Sequence, residues 1–188
     1  MVDWNERYRQ QELKDAPHPI VVQFASQLTP GRALDLACGT GRHAMWLAEH
    51  GWKVTAVDYA RVGIDILKQR AAAEKKKKLV IDARVANLEA HEFEVEPNSY
   101  DLVVVCNYLQ RDLFPSIKRG TRVGGVVIAV NSMLDDDPDI KPMNPAYLVS
   151  RGELRAQFEG WKLLWYFEGK SGEGPQRAIA QVVVRRIS

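Results

Sequence analysis

The sequence contains few cysteines and no long apolar run. Its two cysteines, Cys38 and Cys106, are too few for a disulfide framework and form no Cys-x-x-Cys zinc motif, which favours a reducing cytoplasm. The longest unbroken apolar runs, 102–106 and 126–130, hold five residues, whereas a membrane helix needs roughly 20. The polar, acidic first residues lack the pattern of a signal peptide. We therefore expect a cytoplasmic protein with no membrane partner.

The sequence also carries little net charge. Its 26 Lys and Arg residues and 24 Asp and Glu residues leave a formal charge of +2. This balance is too near neutrality to predict nucleic acid as a partner. A length of 188 residues with 46% hydrophobic and 27% charged residues is typical of one globular domain and not of a disordered chain. We therefore expect residues 1–188 to form a single domain without nucleic acid as a partner.

Strand-like and helix-like segments alternate along the chain. A helical lead-in over residues 1–31 precedes predicted strands at 33–37, 53–58, 80–86, 100–106, 126–130, 161–168 and 178–185. Helices are predicted at 42–50, at 61–75, around 113–119, and after the capping-box pair Ser150 and Glu153. This alternation predicts right-handed βαβ units and an α/β fold. Its doubly wound, mostly parallel sheet would end in an antiparallel hairpin.

A glycine-rich turn follows the first predicted strand. Gly39 and Gly41 let the backbone turn sharply and approach a ligand, and the helix that follows presents free N–H groups to an anion. Asp58 ends the second predicted strand nineteen residues after Gly39, where a carboxylate can accept hydrogen bonds from both hydroxyls of a ribose. Alone, the turn can be purely geometric and Asp58 can be a helix cap. Together they favour a cofactor that contains ribose.

The same glycine pattern also fits a nicotinamide enzyme. Gly39-x-Gly41-x-x-Ala44 satisfies the dinucleotide fingerprint, although the chain hardly has room for a second nucleotide half and a substrate region. The Tyr-x-x-x-Lys pair of short-chain dehydrogenases occurs as Tyr166 and Lys170. These two lie on a predicted strand that runs into a turn, where they cannot share a helix face. An NAD(P)-binding Rossmann oxidoreductase is therefore kept as an alternative.

Several motifs stand in a fixed order along the chain. They are Asp35-Leu36-Ala37-Cys38-Gly39-Thr40-Gly41, Asp58, Asn87-Leu88, the strand Tyr100 to Val105, and Gly124-Gly125. In this order they resemble the class I S-adenosylmethionine-dependent methyltransferases. The resemblance implies strand order 3-2-1-4-5-7-6, S-adenosylmethionine as the cofactor, and methyl transfer to a small acceptor. A non-catalytic protein that binds S-adenosylmethionine is the other alternative.

A narrower resemblance rests on two further segments. Trp4-Asn5-Glu6-Arg7-Tyr8, and Gly41-Arg42-His43 followed by Trp46-Leu47-Ala48, are similar to the small tellurite-resistance-type methyltransferases. This likeness implies an oxyanion or chalcogen acceptor.

The broader resemblance implies a role for each motif. The glycine turn would wrap the methionyl part of the cofactor, and Asp58 would hold its ribose. Tyr59 would lie against the adenine, Asn87 would bind the adenine amino group and the Leu88 backbone a ring nitrogen, with Cys106 beneath the sulfonium. The expected cofactor-binding residues are Asp35, Ala37, Cys38, Gly39, Thr40, Gly41, Asp58, Tyr59, Asn87, Leu88 and Cys106.

Two positions depart from the family pattern. Asn87 stands where the family usually has Asp, but an amide oxygen can still accept a hydrogen bond. Val123 replaces the usual proline before the paired glycines, which affects a turn more than a site.

Aromatic residues are the candidates for the acceptor pocket. Trp4, Tyr8 and Tyr108 are expected to line it, because aromatic faces can hold a cationic sulfur and keep the site dry. Packing against the core is the competing interpretation for each of them. The acceptor would enter between the N-terminal helices and the loops 107–114 and 131–149.

Other conspicuous residues receive a structural interpretation. Asn144-Pro145-Ala146-Tyr147 resembles a motif of adenine-modifying DNA methyltransferases but follows the fifth predicted strand instead of the fourth. His43 is expected on the first helix of the sheet domain without a role in proton transfer, and both cysteines as small pocket residues and not nucleophiles. We predict no metal site, and the acidic residues of one loop are interpreted as solvated, namely Asp135, Asp136, Asp137 and Asp139.

Overall fold

The computed structural model describes residues 3–10, 16–75, 78–137, 140, 143–170 and 177–188. Its helices are α1 (Trp4–Gln10), α2 (Pro19–Ala25), α3 (Arg42–Glu49), α4 (Arg61–Ala73), α5 (Phe114–Gly120) and α6 (Glu153–Ala156). Its strands are β1 (Arg32–Leu36), β2 (Lys53–Asp58), β3 (Val80–Val85), β4 (Tyr100–Cys106), β5 (Thr121–Ser132), β6 (Lys162–Lys170) and β7 (Ala178–Arg185). Short 3₁₀ turns cover Arg111–Leu113 and Pro145–Tyr147.

The strands within these ranges form one sheet in the order β3-β2-β1-β4-β5-β7-β6. Neighbours among β1 to β5 pair in parallel, and β7 pairs antiparallel with both β5 and β6. The predicted α/β fold and strand order are therefore confirmed. The winding reverses between β1 and β4, and in such sheets ligands bind beyond the carboxyl ends of the strands at that point.

Strand β4 shows why the central strands read as continuous apolar runs. Val103 and Val105 face one buried cluster, whereas Leu102 and Val104 face the other. Both faces of the sheet are covered, so every position from Leu102 to Cys106 is apolar. The buried valine run therefore fixes β4 beside β1 and brings Cys106 to the switch point.

Several boundaries differ from the predicted ones. Strand β5 begins five residues before the predicted 126, because the chain near its start pairs with the end of β7: Gly124 N donates to Arg186 O at 2.8 Å. Helix α2 ends at Ala25, so residues 26–31 of the predicted helical lead-in lie beyond it. The capping-box prediction is correct in part, since Glu153 Oε2 accepts from Ser150 N at 2.8 Å in front of a single helical turn.

Two predicted features fall outside the described residues. They are Asp139 of the acidic loop and the glycine-rich connection 171–176 between β6 and β7.

Candidate functional site

Asp58 ties the end of β2 to the glycine turn that follows β1. Its Oδ2 accepts a hydrogen bond from Gly39 N at 2.8 Å, and its Oδ1 accepts one from Ala60 N at 2.8 Å. Burial raises the pKa of Asp58, and these two N–H donors oppose the rise. The Tyr59 backbone is a third donor, and a carboxylate has about four acceptor sites, so at least one remains. Asp58 therefore holds the turn and can still accept a hydrogen bond from a ligand.

The turn itself needs glycine at two positions. Gly39 and Gly41 have φ values of +57° and +80°, in the left-handed region. A Cβ on Gly39 would lie 2.6 Å from the Tyr8 hydroxyl oxygen, and a Cβ on Gly41 would collide with Leu67 of α4. Ala37, at φ +53°, adopts the same region without being glycine. The backbone between β1 and α3 is thus shaped by close neighbours on two sides.

Asp35, predicted to bind the cofactor, lies beneath the turn and caps α3. Its Oδ2 accepts from Ala44 N at 3.1 Å, and the N-cap residue Gly41 has no side chain to do so. His43 Nδ1 lies 3.8 Å from Asp35 Oδ1, and both side chains are buried. Within the described ranges, Asp35 Oδ1 and His43 Nε2 have no hydrogen-bond partner. Asp35 therefore holds the start of α3, which directly follows the glycine turn.

The burial of His43 escaped the sequence analysis, although its place on α3 was predicted. His43 and Leu47 are both buried and stand four residues apart, so they share the face of α3 that packs on the core. That spacing was the available signal.

The two cysteines meet at the switch point of the sheet. Cys38 follows β1, and its N–H donates to Val57 O at 3.0 Å, whereas Cys106 ends β4. Both are buried, and burial raises the pKa of each thiol above its usual range. The thiols are protonated at neutral pH, which suits small pocket residues better than nucleophiles.

Thr40 and Tyr59 lie on opposite sides of the turn. Thr40 O accepts from Arg70 Nη1 at 3.0 Å, which links the turn to the outer part of α4. Tyr59 follows β2, is 40% exposed, and its hydroxyl accepts from Trp4 N at 3.4 Å. Tyr59 is therefore partly exposed next to Asp58.

The segment after β3 is held by its own side chains. Asn87 Oδ1 accepts from Glu89 N at 3.0 Å and from Ala90 N at 3.3 Å, so both of its lone pairs are used within the turn. An adenine amino group would have to compete for that oxygen. Among the described residues, no acceptor is recorded for Leu88 N–H, and Leu88 O accepts from Gln110 Nε2 at 3.1 Å. The backbone of Leu88 is therefore the better-placed group of the two.

The three predicted pocket aromatics lie on two sides of the site. Trp4 and Tyr8 share α1 with ring centroids 5.5 Å apart, and the Tyr8 hydroxyl rests on Gly39. Tyr108 follows β4, its hydroxyl donates to Gln110 Oε1 at 2.7 Å, and its carbonyl accepts from Asn131 Nδ2 at 2.8 Å. Tyr8 thus reaches the cofactor turn, whereas Tyr108 lies beside the segment after β3.

The Tyr166 and Lys170 pair, the Asn144–Tyr147 segment and the acidic loop each make local structural contacts. Tyr166 and Lys170 both lie on β6, which ends two residues later than predicted, and they do not share a helix face. Asn144 Oδ1 accepts from Ala146 N at 3.0 Å, which makes the Asn-Pro-Ala-Tyr segment a local turn. In the acidic loop, Asp135 Oδ1 accepts from Asp137 N at 3.0 Å, and Asp137 pairs with Lys170.

Three residues that contribute to the site went unnoticed in the sequence. Asn5 Oδ1 accepts from Val62 N at 3.0 Å, Arg70 binds the Thr40 carbonyl, and Gly63 lies against the glycine turn. Only Gly63 carried a signal, because a glycine inside a helix costs about 1 kcal/mol relative to alanine and needs a packing reason.

The fold and this site have counterparts among known proteins. A family model described as "Tellurite resistance protein TehB" matches residues 3–175. The chain belongs to the TehB family. The narrower resemblance drawn from the two sequence segments is thereby confirmed.

Relatives and solved structures agree with TehB membership. The chain is 31% identical over 160 residues to the "Probable S-adenosyl-L-methionine-dependent methyltransferase TehB" of Haemophilus influenzae, and the match covers 81% of this chain and 54% of that relative. It therefore spans about half the length of that curated relative. The crystal structure of TehB from Haemophilus influenzae has a TM-score of 0.78 at 25% identity, with 97% of this chain and 67% of that chain covered.

A more distant structure shares the fold alone. A SAM-dependent methyltransferase from Methanosarcina mazei is 16% identical with a TM-score of 0.70, and the match covers 92% of this chain and 99% of that one.

Proposed function

We propose that this chain is an S-adenosylmethionine-dependent methyltransferase that transfers a methyl group to a small acceptor by in-line displacement. The observation that carries the proposal is the 2.8 Å hydrogen bond from Gly39 N to Asp58 Oδ2. It joins the glycine turn and the acidic end of β2 into one binding surface at the switch point of the sheet. The TehB relative of Haemophilus influenzae is named as a probable enzyme of this class, which supports the same reaction.

The residues present fit this cofactor. Gly39 and Gly41 leave no Cβ in the turn, and the Asp58 carboxylate, with three backbone donors and about four acceptor sites, can still accept from a ribose hydroxyl. The Leu88 N–H is available for a ring nitrogen of the adenine, and Tyr59 is partly exposed. Asp35 supports the turn from below, so we assign it a positioning role.

The protein's contribution to the reaction is alignment and exclusion of water. When bound, S-adenosylmethionine supplies a methyl group activated by a sulfonium. Cys38 and Cys106 provide a buried, uncharged wall at the switch point, which favours a step in which positive charge is lost. The turn and Asp58 hold the cofactor in one orientation, as in-line transfer requires. No residue needs to act as a general base if the acceptor arrives deprotonated.

The acceptor side is proposed from the loops around the switch point. Trp4, Tyr8 and Tyr108 would line the entry between the N-terminal helices and the loops 107–114 and 131–149. TehB membership favours an oxyanion or chalcogen acceptor. We further propose that residues 1–188 act as one cytoplasmic catalytic domain without nucleic acid as a substrate. No helix in the described ranges is long and apolar enough to cross a bilayer.

Calorimetric titration tests the proposal. We expect saturable binding of S-adenosylhomocysteine and none of NADH, because the chain hardly has room for the second nucleotide half that NADH carries beyond its adenosine. Saturation by NADH with no response to S-adenosylhomocysteine would establish the oxidoreductase alternative. The second step is transfer of labelled methyl groups to a panel of tellurite, selenite, thiols and small amines. Binding of S-adenosylhomocysteine without turnover on any of them would favour the non-catalytic alternative.

A further inference from the structure

Helix α1 is docked on the residues assigned to the cofactor. Asn5 Oδ1 accepts from Val62 N at 3.0 Å, across 57 positions of the chain. One residue earlier, Trp4 N donates to the Tyr59 hydroxyl at 3.4 Å. One helical turn later, the Tyr8 hydroxyl oxygen contacts Gly39. The short helix therefore touches the end of β2, the start of α4 and the glycine turn at once.

The Asn5 contact fills a vacancy in the capping of α4. The N-cap residue of α4 is Ala60, which has no side chain able to accept a hydrogen bond. Val62 N is one of the first-turn donors that a helix leaves unpaired. Asn5 supplies the missing acceptor from another element, with the geometry of a normal N-cap bond. Within the described ranges, no other side chain accepts a hydrogen bond from Val62 N.

The consequence of this capping lies at Tyr8. A Cβ on Gly63 would lie 2.8 Å from Gly39 O and 3.1 Å from Tyr8 Cε2, so the ring fits between the glycine of α4 and the glycine of the turn. Asn5 and Tyr8 are three residues apart on α1, so they lie on the same face of the helix and move together. Fixing Asn5 at Val62 therefore fixes Tyr8 over Gly39.

We propose that Asn5 is a positioning residue that sets the dwell time of the cofactor, by holding α1 and Tyr8 as the wall that closes the methionyl end of the cleft. This inference rests on the proposed function. Loss of the Asn5 acceptor removes the hydrogen bond that ties α1 to the start of α4 and so loosens α1, without altering Asp58 or the glycine turn. The cofactor then leaves faster, while the groups that bind its ribose are unchanged.

The experiment compares Asn5→Ala, Asn5→Asp and Tyr8→Phe by stopped-flow and calorimetry with S-adenosylhomocysteine, and the stopped-flow signal is intrinsic tryptophan fluorescence, to which Trp4 of α1 contributes with four other tryptophans. We expect Asn5→Ala to weaken affinity about two- to thirty-fold, the fold-change that corresponds to loss of an N-cap, almost entirely through faster dissociation. Asn5→Asp keeps an acceptor oxygen at the positive end of α4 and should restore the wild-type dissociation rate. Tyr8→Phe keeps the ring wall and should have a smaller effect than Asn5→Ala.

Arg9→Ala is the matched control on the same helix. It removes the exposed Arg9 to Glu6 ion pair of 3.0 Å and leaves the Asn5 contact intact. It should leave affinity and dissociation rate unchanged.

The outcomes separate this inference from the function on which it rests. If the wild type binds S-adenosylhomocysteine but Asn5→Ala dissociates at the wild-type rate, the positioning role is wrong and the proposed function stands. The same conclusion follows if Asn5→Ala lowers only the melting temperature, or binds the ligand more tightly. If the wild type does not bind the ligand at all, both are wrong.

Discussion

Replacing Asp58 by alanine tests the binding surface on which the proposed function depends. A hydrogen bond to a charged group contributes about 1.5–3 kcal/mol. At about 1.4 kcal/mol per tenfold change in Kd, removal of the carboxylate should weaken binding of S-adenosylhomocysteine about 10- to 100-fold. The effect should appear as a loss of binding enthalpy in calorimetric titration, since the ribose hydroxyls lose their acceptors.

The same substitution has a structural cost that must be measured separately. It leaves Gly39 N and Ala60 N without their acceptor, and an unsatisfied buried donor costs about 1–3 kcal/mol. Removal of a buried charge opposes this cost, because burial disfavours the ionised form of Asp58 and raises its pKa above the usual 3.8. We expect the free energy of unfolding at pH 7 to fall by about 1–3 kcal/mol. Titration must therefore be made well below the melting temperature of the variant.

The pH dependence provides an independent check on the same group. A carboxyl with a raised pKa in the folded state stabilises the fold most below pH 3.8, and that contribution is lost as pH rises through the raised pKa. Asp58→Ala should lack this component when urea unfolding is followed from pH 3 to pH 7. Asp58→Asn, which keeps one acceptor oxygen, should bind with an affinity between those of the wild type and Asp58→Ala. A folded Asp58→Ala protein with wild-type affinity would refute the ribose assignment.

Two further substitutions test the packing around the site and the pH dependence of stability. Gly63→Ala would bring a Cβ within 2.8 Å of Gly39 O; we expect at least tenfold weaker binding of S-adenosylhomocysteine. The free energy of unfolding should change by less than about 2 kcal/mol, since alanine gains up to about 1 kcal/mol of helix propensity. The exposed Ala72→Gly on α4 is the control, and a Gly63→Ala protein that binds normally would contradict the packing argument. His18→Asn should reduce the loss of unfolding free energy at acid pH, because burial and the nearby charges of Arg42 and His43 lower the pKa of His18 from 6.5 to about 4. The stability this provides is complete above pH 6.5 and is lost as pH falls toward 4; after allowance for solvent screening at a half-buried ring it amounts to about 1–2 kcal/mol. Asparagine keeps an acceptor for Ile20 N, so equal losses of unfolding free energy between pH 7 and pH 4 in both proteins would show that His18 is not responsible.

Local patterns predicted the sheet well where both of its faces are buried. The bounds of β2, β4 and β7 agree with the predicted segments, because apolar runs of that length admit few other conformations. The strand order came from the family resemblance, which the fold confirms. Strand β5 was predicted too short, since its first residues are strand only through pairing in space with neighbouring strands, and several of them are exposed.

The predicted site residues converge as a group, but their individual roles depend on partners that the sequence does not show. Asp58 was interpreted as a ligand group or a helix cap, and it holds both the glycine turn and the start of α4. Asn87 was expected to face the adenine, yet its oxygen is used by Glu89 N and Ala90 N. A side-chain oxygen can be assigned to a ligand only once its competing backbone donors are known.

The sequence by itself determined the class of fold, the glycine turn and the acidic residue nineteen positions later, because each of these follows from short-range geometry and apolar periodicity. Only the tertiary structure decided that α1 lies over the turn, since a hydrogen bond between Asn5 and Val62 has no local pattern across 57 positions. It likewise decided that Asp35 supports α3 and that His43 is buried beside it. Such contacts exist only after the sheet has brought the ends of β1, β2 and β4 together.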